Sequence, residues 1–167
     1  MAILNFVKPD KIVLQKASDF EAQFEFRPLE PGFGVTIGNA LRRVLLSSLE
    51  GYAIAGIKIE GADHEFATIK GISEDVVEII LNLKQVRFKK KVDHDVSHEK
   101  ITLSLKNKTE FTAATIGEAT QSFEVMNPEL LICTMDPSAK LDIEINIVKG
   151  RGYVPAEENK PKEAPFG

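Results

Sequence analysis

Residues 140–148, KLDIEINIV, alternate with a period of two: Leu141, Ile143, Ile145 and Ile147 fall on one side, Lys140, Asp142, Glu144 and Asn146 on the other. Successive side chains of a strand point to opposite faces, so this pattern demands a sheet with one dry and one wet face. ITLSLK at 101–106 repeats it, as do DFEAQFEF at 19–26, through Phe20, Ala22, Phe24 and Phe26, and GIKIE at 56–60, through Ile57 and Ile59. Half-buried strands of this kind belong to antiparallel sheets. Two stretches read as helices, 33–49 and 74–83. Before the second, Ser73 is the expected cap, while Glu74 and Asp75 bring negative charge to the positive end of the helix dipole. Few helices and no strand–helix–strand alternation predict an α+β fold rather than a doubly wound sheet.

The 167 residues suit one domain or two small lobes, and 43% hydrophobic composition supplies a core. A formal net charge of -4 argues against a free-standing nucleic-acid binder, so any contact with DNA is expected to be indirect. The single cysteine, Cys133, lies in the apolar run LLICTM. It excludes a disulfide framework, fits a reducing compartment and reads as a small buried hydrophobe rather than a catalytic thiol. The opening MAILNFVKPDKIVLQK has too short an apolar run and too early a charge for a signal peptide, and no window approaches a membrane span. The expected location is the cytoplasm. The tail PAEENKPKEAPFG, with three prolines and no periodicity, reads as a linker or extended arm.

Candidate chemistry is sparse. His94 and His98, with Asp93, Asp95 and Glu99 near them in VDHDVSHEK, would share a face if helical and could then ligate a metal. They stand between the strand-like VRFKK and ITLSLK, so the segment reads as the solvated tip of a hairpin. The basic run Arg87, Lys89, Lys90 and Lys91 reads as a solvated strand face that could also steer an acidic partner. His64 stands beside Glu65, but no nucleophile pattern surrounds the pair. The reading is therefore no catalytic residue, no metal and no cofactor.

The glycines of PGFGVTIGNALRRVLLSS, residues 31–48, resemble a phosphate loop only superficially. Gly32, Gly34 and Gly38 spell G-x-G-x-x-x-G, one residue too long for the dinucleotide fingerprint, and no Lys-Ser or Lys-Thr follows as a P-loop requires. On a helical wheel Phe33, Ile37, Ala40, Leu41 and Val44 gather within about 100° of arc, a face that packs against something. Beside it Asn39, Arg43, Leu46 and Glu50 form a second stripe, in which a guanidinium flanks an exposed leucine. That is a common interface composition. Arg42, on the far side, reads as an ordinary solvated residue.

LEPGFGVTIGNALRRVLLSSL resembles the signature helix of the bacterial RNA polymerase alpha-subunit N-terminal domain. HEFATIKGISEDVVEIILNLK and VKGRGYVPA follow in the family's order, so the resemblance covers nearly all of the chain. It implies a first part of a dimerisation lobe over 1–50, antiparallel strands plus the signature helix, and an inserted β-rich lobe over 51–156. Residues 157–167 would be a linker or truncated continuation. It implies a homodimer on which the beta and then the beta-prime subunit assemble for DNA-templated transcription. Matching the family's motif residue by residue, Arg43 and Leu46 would hold beta, with Asn39 on the same stripe and Lys84 as a further beta-side contact. Phe33, Ile37, Leu41 and Val44 would carry the dimer face, with Phe6 as a helper. Catalysis would belong to a nucleotidyltransferase complex in which this chain holds no catalytic residue. The family's chain continues beyond GRGYVPA, so this sequence is expected to be a fragment or a short form, leaving the apolar stripe exposed or buried by self-association. The alternative is a small independent nucleotide-binding protein or enzyme using Gly32, Gly34 and Gly38.

Overall fold

The computed structural model describes residues 7–18 and 21–160. Phe6 and Phe20 lie outside the described residues. The chain divides into two compact units, Met1–Leu49 and Glu50–Gly167.

The first unit holds β1 (Lys11–Ala17), β2 (Ala22–Arg27) and α1 (Phe33–Ser47). β1 and β2 form an antiparallel hairpin in which Ile12 faces Phe26 and Leu14 faces Phe24, with a register shift between Leu14 and Lys16. β1 escapes period-two reading because Ile12, Val13 and Leu14 are apolar in succession. The expected half-buried face of β2 is corrected in part: Phe26 is half-buried, but Phe24 is 63% exposed, because nothing in this unit covers it. α1 starts after Gly32, whose φ of +88° is a left-handed turn that glycine enters without a Cβ clash.

The second unit contains β3 (Glu50–Ile59), α2 (Val76–Leu83), β4 (Phe88–Lys90), β5 (His98–Lys106), β6 (Glu110–Thr112), α3 (Ala113–Ala119), β7 (Phe123–Val125), β8 (Leu131–Thr134), β9 (Lys140–Arg151) and α4 (Ala156–Asn159). β9 is the middle strand of a sheet ordered β3-β9-β5, antiparallel to both neighbours. Two-stranded pairs β4-β7 and β6-β8 accompany it. The alternation of β9 is realised in full: Leu141, Ile143, Ile145 and Ile147 are buried while the intervening polar residues are not. Ile101, Leu103 and Leu105 of β5 and Ile59 of β3 join them. The same cluster takes in Val76, Ile79 and Leu83 from α2, Ile116 from α3, and Phe111, Phe123 and Ile132 from the short strands. Each such side chain contributes about 1.5–3 kcal/mol on burial. The fold is mixed α and β with antiparallel sheets, as the α+β reading expects.

Four local readings are corrected. The cap of α2 is Asp75, whose carboxylate accepts the Glu78 N–H at 2.7 Å, rather than Ser73; the Ser73 N–H instead donates to the Thr134 carbonyl at 3.0 Å. Residues 92–97 are not a hairpin tip, because β4 pairs with β7 and β5 with β9, so the segment passes between two sheets. α3 is a third helix, hidden by the Thr and Gly of AATIGEA, which favour helix poorly. The arm after Pro155 makes one helical turn, α4, in which the Asn159 N–H donates to the Pro155 carbonyl.

Candidate functional site

α1 brings the sequence candidates onto one surface. A rise of 1.5 Å and a turn of 100° per residue set Phe33, Ile37, Leu41 and Val44 in one row. Asn39, Arg43 and Leu46 stand in the next. No residue of the helix is buried. The first row is nevertheless the drier: Phe33 is 39% exposed and Ile37 half-buried, against 68% for Leu46 and 82% for Val35. Arg42 and Arg43 are both exposed and carry no ion pair among the described residues. The Ser47 hydroxyl donates back to the Arg43 carbonyl one turn earlier at 2.6 Å, sharing an acceptor already used by the helix.

Lys84 belongs to the second unit and closes α2 as its C-cap. Its N–H donates to the Ile80 carbonyl at 3.0 Å, and its own carbonyl accepts the Arg87 guanidinium at 3.0 Å. The ammonium is exposed, at the end of the helix where a cation is favoured by the dipole. Sequence reasoning missed what holds this helix: the Glu74 carboxylate accepts the Thr134 N–H at 2.7 Å and the Thr134 hydroxyl at 3.2 Å, and the Asn82 amide donates to the Ile132 carbonyl at 2.9 Å. An acid just ahead of a helix was the available signal, but its partner lies 60 residues away.

The remaining candidates fall elsewhere. Gly34 and Gly38 lie inside α1, and a Cβ at either would meet nothing within 4 Å, so only Gly32 is part of a turn. There is no glycine cradle here for a phosphate, which removes the basis of the nucleotide-loop alternative. His98 opens β5 with its Nε2 3.3 Å from the Asn146 Oδ1, and the His94 carbonyl accepts the Lys90 ammonium at 3.3 Å. Among the described residues no group of three or more His, Cys, Asp or Glu is arranged to hold a metal ion. Cys133 is fully buried, and burial with the nearby Glu74 charge pushes its pKa up to about 12. It is an inert core residue. His64 and Glu65 line an open cleft of about 440 Å³ floored by Ile57, Ile59, Val76 and Ile80. No described helix is long and apolar enough to cross a membrane.

Comparison with known proteins gives a consistent result. Residues 57–167 match the family model of the RNA polymerase Rpb3/RpoA insert domain. The chain is 60% identical over its whole length to the DNA-directed RNA polymerase subunit alpha of Cytophaga hutchinsonii and 56% identical to that of Flavobacterium psychrophilum, covering 50% of each. Over 96% of its length it is 58% identical to the subunit of Bacteroides fragilis, covering 48% of it. The chain thus spans about half the length of these relatives.

Proposed function

The chain belongs to the RNA polymerase Rpb3/RpoA insert-domain family, and from that premise we propose that it works as the alpha-subunit platform of a DNA-directed RNA polymerase. Two copies pair through the row Phe33, Ile37, Leu41 and Val44, to which Phe6 adds. Beta is gripped by Arg43, Leu46 and Asn39 on α1 and by Lys84 at the end of α2, and beta-prime joins afterwards. Residues 1–50 supply the first part of the dimerisation lobe and 51–156 the inserted lobe. Nucleotidyl transfer takes place on acidic groups and a metal held elsewhere in the complex, and DNA meets this chain only through that complex. The compartment is the cytoplasm.

The observation that carries this reading is a helix of fifteen residues with no buried side chain, whose apolar row and Arg-Leu row lie side by side. A helix stabilised in water by itself has no need of such rows, so partners are expected to cover both. Co-expression with the beta subunit tests it: beta co-purifies with the chain extended to full subunit length, and Arg43→Ala breaks the association while Arg42→Ala spares it. Retention of beta by Arg43→Ala together with its loss from Arg42→Ala would put the partner on the opposite face.

A further inference from the structure

Lys84 stands apart from the other proposed beta contacts, on the turn that follows α2. Leu83 and Val86 anchor that turn in the core, while Lys84, Gln85 and Arg87 are exposed. The end of a helix and the turn after it leave backbone groups that need partners. Each N–H from Lys84 to Arg87 has one. Lys84 donates to the Ile80 carbonyl at 3.0 Å, Gln85 to the Asn82 carbonyl at 3.0 Å and Val86 to the Leu83 carbonyl at 3.1 Å, all within the segment. The N–H of Arg87 goes instead to a side chain 40 residues away, the Asn127 Oδ1, at 2.9 Å.

Asn127 serves the turn twice. While its Oδ1 accepts from Arg87, its Nδ2 donates to the Gln85 carbonyl at 3.0 Å. The two groups have opposite polarity, so a side-chain amide suits them both, whereas an Asp carboxylate would set a second acceptor against the Gln85 carbonyl. The β4-β7 ladder brings the amide into place: beyond the Phe88 and Val125 pair it continues through the Met126 N–H to the Arg87 carbonyl at 2.9 Å, and Asn127 is the next residue. Its side chain thus prolongs the pairing that the backbone begins. Arg87 in turn reaches back to the helix, where its guanidinium donates to the Lys84 carbonyl at 3.0 Å. The backbone of Lys84 is therefore held at its N–H by α2 and at its carbonyl by Arg87, whose own N–H Asn127 fixes.

We propose that Asn127, acting through the 85–87 turn, is the positioning residue for Lys84, an inference that rests on the reading of Lys84 as a beta contact. The ammonium ends a flexible four-carbon stem, so its aim depends on how firmly the backbone beneath it is held. Loss of the amide strips partners from the Arg87 N–H and the Gln85 carbonyl together and lets the end of α2 fray. A partner then meets the binding-competent turn only part of the time, and its apparent affinity falls by that fraction. Asn127→Ala changes no charge, so the loss is one of order and not of electrostatic attraction.

The test is a double-mutant cycle in the chain extended to full subunit length, with beta affinity measured for Lys84→Ala, Asn127→Ala and the two combined. Asn127→Ala weakens beta binding about three- to tenfold while Lys84 is present, and less than about twofold once Lys84 is Ala. Amide exchange reads the turn without any partner: Val86 and Arg87 exchange faster in Asn127→Ala than in the parent. Should Asn127→Ala fail to fold, Asn127→Ser, equally neutral, takes its place with the same expectations. An Asn127→Ala loss of the same size with and without Lys84 would overturn the proposal, because the residue would then be merely structural, and so would unchanged exchange at Val86 and Arg87. If Lys84→Ala alone retains full beta affinity, the reading of Lys84 as a contact fails and the positioning role with it, whereas faster exchange in Asn127→Ala still upholds the clamp on the turn.

Discussion

Adjacent carboxylates Glu74 and Asp75 do different work, one reaching across to Thr134 and the other capping α2. Removing the cap oxygen with Asp75→Ala is expected to cost about 1 kcal/mol, and Asp75→Asn very little, by urea denaturation. Gly71, at φ +80°, combines a left-handed backbone with a Cβ position 2.9 Å from the Ala139 Cβ, so Gly71→Ala meets both strain and a clash. It is expected to cost roughly 1–3 kcal/mol, more than Gly32→Ala, whose φ of +88° has open space around it. Glu99 supplies a pH dependence. Burial disfavours its charge, but N–H donors from Gln121 at 2.8 Å and Ser122 at 3.1 Å outweigh this and hold its pKa below the usual 4.5. Because the folded value is the lower one, Glu99 stabilises the fold fully above 4.5 and loses that effect as pH falls through the folded value. The urea midpoint of Glu99→Gln should accordingly lie below that of the parent at pH 7 and converge with it in acid. A midpoint deficit independent of pH would show that the carboxylate's charge is not what matters. Of these roles only the placement of acids at the start of α2 was within reach of the sequence, because the Asp75 cap is a contact three residues long; the reach of Glu74 to Thr134, the φ of Gly71 and the Glu99 contacts were not.

At the scale of elements, α1 and β9 were legible, and of the short strands only β4 was. Period and length explain the difference. Four apolar residues at alternate positions specify the buried face of β9 without knowing its neighbours, and the wheel of α1 places Arg43 and Leu46 apart from Phe33 and Ile37. β4 shows in the alternating VRFKK, but β6 and β7, with three residues each, are too short for any periodicity to register. The segment 92–97 was misread because alternation reveals a strand's face but not its partner. The helix itself makes a separable prediction. Ile37→Asp and Val44→Asp should leave the second unit folded, since α1 contributes nothing to its core, yet abolish dimerisation in the extended chain if that row is covered there. Arg43→Ala should shift melting by no more than an isolated surface change, within about 0.5 kcal/mol. Its loss of beta affinity should reach roughly 2–5 kcal/mol, if the guanidinium is desolvated against that partner. Melting temperature, dimer mass and beta retention on the same variants distinguish the two rows.

Across the whole molecule, burial is unevenly distributed: every buried residue among those described lies in the second unit, between Ile59 and Ile147. Amide exchange should follow that division, with β3, β5 and β9 protected to the limit of global unfolding and residues 11–47 exchanging far faster at low concentration. Strong protection of 33–47 in dilute monomer would contradict it; protection that grows with concentration would report self-association. The class of the fold could be inferred from alternation alone, but not this imbalance, because the wheel of α1 shows an apolar row whether or not anything covers it. The strand order β3-β9-β5 has a further consequence, one of time. Between the end of β3 at Ile59 and the end of β9 at Arg151 the ribosome must add roughly ninety residues, about 5–20 s of synthesis. Throughout that interval β3, and from residue 106 onward β5 as well, exists as a nascent strand whose common partner has not yet been made. The lysines and glutamate set along β5, at positions 99, 100 and 106, then serve before the fold exists, keeping a waiting strand from joining the wrong neighbour.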